Sequence, residues 1–177
     1  MKTVKTVQEV ADFSVSPERK LFSATHEEIL TGLTTDIYFV KTREILAKLG
    51  KDETRVVAEI FGRRDGIFAG SEEVKNLLED LGLEVWSLPE GASFSAKEVV
   101  MRISGLYDVF GIYETVILGI LASSSGWATA AYKAKEAAGD RSVLCFGARH
   151  VHPSVAPVME RAAVIGGAHG ASCILGA

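Results

Sequence analysis

Cysteine is scarce in this chain. Only Cys145 and Cys173 are present, both in apolar, strand-like contexts, which argues against a disulfide framework or a cysteine-built metal site and points to buried, reduced thiols in a cytoplasmic protein. No apolar run follows Lys2 and Lys5, so no signal peptide is expected at the start. Basic charge is not in excess. The net charge of −4 and pI near 5.6 give no global drive toward nucleic acid or anionic membrane, so any anion site must be local. A Gly-Lys-Ser phosphate loop and the dinucleotide glycine spacing are both missing.

The one long uncharged stretch, residues 115–132, carries Gly119, Ser123, Ser124, Ser125, Gly126 and Thr129. That is too polar for a lone membrane span and reads as a buried helix. With 47% apolar and 24% charged residues, the chain has the composition of an ordinary soluble globular protein and is expected to fold.

Residues 1–20 are weakly patterned and read as an irregular or extended lead-in. Asp36 precedes a helical run in which Ile37, Val40, Ile45, Leu46 and Leu49 recur every three or four residues, closed by Gly50. Strands are expected over residues 54–61, around 66–70, over 83–88 and over 98–103. A helix begins at Ser71-Glu72-Glu73 and runs to near Gly82, and Pro89-Glu90-Gly91 makes a turn. From Leu106 a helical spacing takes over. One long helix and two helices broken near Gly126-Trp127 both satisfy it. Residues 141–146, 154–165 and 173–175 then read as strand, helix and strand, the start of a parallel α/β arrangement. The chain ends on an apolar segment. An edge strand would explain that, but the favoured expectation is that these residues are the front half of something larger.

The chemistry concentrates in Cys145-Phe146-Gly147-Ala148-Arg149-His150-Val151-His152-Pro153. A buried strand there would deliver Arg149 to the carboxyl end of a sheet, where α/β proteins bind ligands. A guanidinium in that place offers a planar fork of donors to a carboxylate or phosphate; a surface ion pair is its plainer role. His150 and His152 alternate and would share one face of an extended segment. They suit a metal pair or, preferably, hydrogen bonds to an anion or the backbone. The glycine-rich run from Gly166 to Ser172 could cradle phosphate or be a plain helix-to-strand turn. Asp36 and Tyr38 read either as helix cap and core aromatic or as a ligand-stacking pair. Glu114, in a very apolar helix, is either a hydrogen-bonded anchor or site-facing, and Arg63-Arg64-Asp65 is most simply a solvated turn.

Five motifs in order carry a resemblance: Tyr113-Glu114-Thr115, the run Ser125 to Ala131, Phe146-Gly147-Ala148-Arg149-His150, Glu160-Arg161-Ala162-Ala163 and Gly166-Gly167. Together with Thr35-Asp36-Ile37-Tyr38 they resemble nicotinate phosphoribosyltransferases and, more broadly, the type II phosphoribosyltransferases that include the quinolinate enzyme. The resemblance implies an α/β fold, with an α+β N-terminal domain over residues 1–105, a connecting helical region over 106–140 and the first β-α-β of an incomplete, irregular α/β barrel over 141–177. It implies attack of a pyridine ring nitrogen on phosphoribosyl diphosphate in pyridine nucleotide biosynthesis, with nicotinate as acceptor. Arg149 would hold the nicotinate carboxylate, Tyr38 would stack on the ring in a site shared across a homodimer, and His150, Thr115, Ser172 and Asp36 would lie close by.

Mg²⁺ is implied with its ligands outside this chain, and ATP coupling is left open. Neither nucleic acid nor membrane is an implied partner. Two departures stand out. Gly170-Ala171-Ser172 replaces the common Gly-Thr-Ser and loses a hydroxyl. Thr115 stands where quinolinate relatives carry an arginine, which favours a mono-carboxylate substrate. A quinolinate-type transferase and a non-catalytic ligand-binding module are the alternatives.

Overall fold

A short helix stands within residues 1–20, where an irregular lead-in was expected, and a second follows at residues 26–30. The structure, a computed structural model, describes residues 3–176; Met1, Lys2 and Ala177 lie outside them. In α1 (Val7–Asp12) the Glu9 amide donates to Thr6 Oγ1 at 3.1 Å, and the Glu9 carboxylate accepts from the Thr6 amide at 3.3 Å. Thr25 and Glu28 repeat the device at the start of α2 (His26–Leu30), at 3.2 and 2.7 Å. Each reciprocal cap satisfies two amides that a helix start leaves unpaired. Helices this short show no 3.6-residue period, so the caps alone betray them. The next helix, α3 (Ile37–Lys48), starts after Asp36 as expected and ends at Gly50, whose φ of 62° suits glycine.

Glu28 also receives both arms of the Arg19 guanidinium. Those bonds, then the Thr25 amide, hold its carboxyl at about 2 against an ordinary 4.5. Because the folded value is depressed, the tie is complete above pH 4.5 and is lost as pH falls toward 2. A ¹³C titration of the Glu28 carboxyl should show a midpoint near 2 in the native protein. A midpoint near 4.5 would mean the Arg19 tie is absent in solution.

The central sheet follows. Along β1 (Arg55–Phe61) exposure alternates residue by residue, a strand with one covered face. After β2 (Gly66–Ile67) comes α4 (Ser71–Leu78), then β3 (Glu84–Ser87), β4 (Ser93–Phe94) and β5 (Val99–Leu106). The order β1-β5-β3 is antiparallel throughout, with Ala58 and Val85 both opposite Ile103, while β2 and β4 form a separate antiparallel pair. β4 was not anticipated. α4 stops short of Gly82 because Glu79 turns extended and Asp80 takes a φ of 62°. Phe68, Val74, Leu78, Met101 and Ile103 form the core, closed from the other side by Ile117 and Leu121.

Those last two belong to α6. The chain reaches it through α5 (Tyr107–Phe110) and a 3₁₀ turn (Gly111–Tyr113), and α6 (Glu114–Ala138) runs 25 residues without a break at Gly126-Trp127. Its small polar residues work outward. Thr129 Oγ1 accepts the Ile67 amide at 2.9 Å and Ser125 Oγ the Ala69 amide at 3.1 Å, so the hydroxyls stitch the loop after β2 to the helix. By length and composition residues 107–138 could cross a bilayer. Ile117, Leu121, Ser124 and Ala128 are instead buried within the protein.

Beyond it, β6 (Leu144–Cys145), a 3₁₀ turn (Ala148–His150), α7 (Ala156–Ile165) and β7 (Gly170–Ala171) complete a parallel β-α-β unit, Leu144 opposite Gly170. Three expectations need correction. The strand over 141–146 shrinks to two residues and is not buried: Leu144 is 57% and Phe146 59% exposed, with β7 alone beside β6 among the described residues. The last strand lies inside the glycine-rich run rather than at 173–175, where a 3₁₀ turn (Ile174–Gly176) stands. There the Cys173 amide donates to a side chain, Glu160, and is lost to a strand ladder. The two free cysteines are half-buried rather than buried.

Candidate functional site

Asp36 does not cap its own helix. Its amide donates to Thr115 Oγ1 and the Thr115 hydroxyl donates back to Asp36 Oδ2, both at 3.1 Å, tying the start of α3 to the first turn of α6. Tyr38 stands one residue into α3 and is 55% exposed, so the core aromatic is its neighbour Phe39, at 4.3 Å between centroids. Desolvation first, then the negative charges of Asp36 and Glu114, push the Tyr38 phenol above its ordinary value, keeping it neutral with a proton to donate. The Glu114 carboxyl is itself raised by desolvation. Three expected site residues therefore share one corner, with an aromatic face open to solvent.

Arg149 and His150 sit on the 3₁₀ turn just past β6, closed by the His150 amide donating to Gly147 O at 2.9 Å. Both side chains are exposed, and the Arg149 guanidinium has no hydrogen-bond or ion-pair partner among the described residues. The turn overrides the extended segment on which His150 and His152 were to share a face. His152 Nδ1 instead lies 2.7 Å from Ser154 Oγ and accepts the Ser154 amide at 3.2 Å, leading the chain toward α7. His169 is engaged as well: its Nδ1 accepts the Val143 amide at 3.1 Å. Among the described residues no three His, Cys, Asp or Glu side chains converge as a metal site. The donors among the described residues do not fit Mg²⁺.

The sixth expected residue, Ser172, donates its hydroxyl proton to Glu160 Oε1 at 2.6 Å; its lone pairs stay free to accept. Glu160 is fully buried, at 0% exposure. Next to it on α7, Arg161 reaches the other way and pairs with Glu90 at 2.7 Å, whose second oxygen accepts the Gly70 amide at 2.7 Å. The resemblance quoted Glu160 only as part of a motif. Its signal was chemical: a carboxylate directly after the apolar run Ala156-Pro157-Val158-Met159 needs partners if buried. No hydrogen bond or ring contact among the described residues joins the Asp36-Tyr38-Thr115 corner to the Arg149-His150-Ser172 group. A cavity of about 540 Å³ between the end of β1 and α6, walled by Phe61, Phe94 and Leu118, contains none of the six.

A parallel β-α-β unit with Arg149 on the turn beyond its first strand, joined to an antiparallel α+β unit, defines a protein of mixed α/β class. The sequence profile of the family described as quinolinate phosphoribosyl transferase, N-terminal domain, matches residues 36–125, and the chain belongs to that family. The fold agrees. It is similar to nicotinate-nucleotide pyrophosphorylase from Pyrococcus furiosus (43% identity, TM-score 0.85), over 90% of this chain and 42% of that one. Human nicotinic acid phosphoribosyltransferase (20% identity, TM-score 0.74, 80% of this chain and 36% of that one) shares the fold. So does nicotinate-nucleotide pyrophosphorylase from Francisella tularensis (21%, TM-score 0.61, 83% and 55%). The chain thus spans about two fifths of the length of the Pyrococcus protein.

Proposed function

We propose that this chain belongs to a phosphoribosyltransferase of pyridine nucleotide biosynthesis and carries the part of the site that reads a pyridine carboxylate. The observation that carries the reading is Arg149 on the turn beyond β6, exposed and without an ion-pair partner among the described residues, in a chain of this family. In the reaction the ring nitrogen's lone pair forms a bond to the anomeric carbon of phosphoribosyl diphosphate. The carbon–oxygen bond to diphosphate breaks and diphosphate leaves with the electron pair. Charge develops on the ribose ring, so the protein's work is positioning and electrostatic stabilisation. Arg149 would hold the carboxylate and His150 and the Ser172 lone pairs would lie near substrate or phosphate. The open face of Tyr38 would stack on the pyridine, presented by a second copy of the chain, since no hydrogen bond or ring contact among the described residues joins Tyr38 to Arg149.

Nicotinate is the acceptor this reading favours. Thr115 is neutral and its hydroxyl is committed to Asp36, so that corner offers no cation to a second carboxylate. Quinolinate is the second reading, and the family itself supports it at least as well. Diphosphate release by the full-length protein, supplied with phosphoribosyl diphosphate and each acid in turn, separates them. Turnover at least roughly tenfold faster with nicotinate is expected. Preference for quinolinate would install the second reading, and no turnover with either would overturn the transferase reading.

A further inference from the structure

We infer that the cavity between the end of β1 and α6 is a second binding site, for a molecule with a hydrocarbon body and one oxyanion head. It stands apart from the function proposed above, whose residues do not line it. Its volume of about 540 Å³ falls inside the range of small-molecule sites, about 300–1,000 Å³. The floor is apolar: Phe68, Val100 and Leu121 belong to the core, and Phe94 of β4 packs against it. Phe94 also lies close against β2, where a Cβ at Gly66 would stand 2.9 Å from its ring. Phe61 and Leu118 carry the apolar wall out to solvent, where both are exposed.

The polar groups of the cavity divide into two sets. Inside, the hydroxyls are committed to backbone. Ser125 Oγ accepts the Ala69 amide and donates to Ala69 O, and Thr129 Oγ1 accepts the Ile67 amide and donates to Ser125 O. At the rim, Arg63, Arg64 and Lys133 have no hydrogen-bond or ion-pair partner among the described residues. Asp65, the acid among the lining residues, accepts the Ala96 amide at 2.8 Å, and Gly62 O accepts the Lys97 amide at 2.7 Å. Those two bonds fasten the loop after β1 to the turn before β5, so the arginines are held at the mouth. A wholly polar ligand would lose its hydration on this floor without replacement. A neutral hydrocarbon would leave three cations unpaired. Guanidinium forks at the mouth of an apolar cavity suit a carboxylate or phosphate on an apolar body. The Arg63-Arg64-Asp65 turn is therefore more than a solvated connection. It concentrates positive charge locally in a chain of net charge −4.

The probe is dodecanoate, kept below its micelle-forming concentration and titrated into the full-length protein by calorimetry. Dodecyltrimethylammonium, with the same chain length and opposite charge, is the control. One dodecanoate should bind per chain with a Kd on the order of 10 μM, and the ammonium compound at least roughly tenfold more weakly. Replacing both arginines, Arg63→Ser with Arg64→Ser, should weaken dodecanoate binding at least roughly tenfold. Both positions are exposed, so that variant should fold. Gly126→Leu approaches from the helix side. Gly126 lines the cavity with nothing within 4 Å of a would-be Cβ, so the new side chain should occupy the space and remove dodecanoate binding. No binding of dodecanoate, equal binding of the two amphiphiles, or binding that survives both variants overturns the inference.

Discussion

Arg149→Ala is expected to cut kcat/KM for nicotinate roughly a hundredfold, corresponding to about 3 kcal/mol of lost charge-assisted hydrogen bonding. The loss should fall mainly in KM, because the carboxylate is bound alike in ground and transition states. Arg149→Lys should recover only part of it, since a point charge cannot reproduce a planar two-pronged contact. The variant should stay folded, because Arg149 is an exposed residue on a surface turn. Steady-state kinetics on both variants decides the matter. Unchanged parameters in the alanine variant would remove Arg149 from the site.

The second large effect concerns stability. At Gly166, the first residue after α7, a Cβ would lie 2.1 Å from the Ala128 carbonyl oxygen and 2.8 Å from its carbon. Both are backbone atoms of α6, so no side chain can rotate away. The φ of −74° is ordinary, which makes the penalty purely steric. Gly166→Ala should therefore force α7 off α6 and destabilise the protein by about 3 kcal/mol. Gly119→Ala, on the same long helix with nothing within 4 Å of its would-be Cβ, should be neutral or stabilising by up to about 1 kcal/mol. Urea unfolding of the two variants side by side reads the difference. Equal stabilities would mean that the helices do not approach so closely.

The contrast between those glycines shows why part of the fold was legible and part was not. Helices and strands long enough to show a period were read directly: α3 from its apolar spacing and Gly50, β1 from its β-branched run, α4 from its acidic first turn. Features set by partners far along the chain were not. Whether α6 broke at Gly126 depended on the loop after β2 taking the Ser125 and Thr129 hydroxyls. The length of β6 depended on β7, and the end of β7 on Glu160 capturing the Cys173 amide.

The site divides in the same way. Residue chemistry placed Arg149 and His150 beyond a strand, where the structure has them on an exposed turn, whereas the hydrogen bonds between Asp36 and Thr115 were not foreseen. It assigned them through local sequence, however, and so passed over Glu160, whose buried carboxylate accepts from the Ser172 hydroxyl and the Cys173 amide beyond the end of its helix. It also placed Ser172 beside the ligand without seeing that its proton is already given to that buried carboxylate.

The most direct test of carboxylate reading by the turn beyond β6 is an NMR titration of the full-length protein, following the Arg149 Nε–H and Ala148 amide signals. Nicotinate is added first, then nicotinamide to a fresh sample. Both signals should move with nicotinate and stay still with nicotinamide, which has no charge for the guanidinium to grip. Equal shifts with the two compounds, or shifts confined to the Phe61-lined cavity, would contradict the assignment.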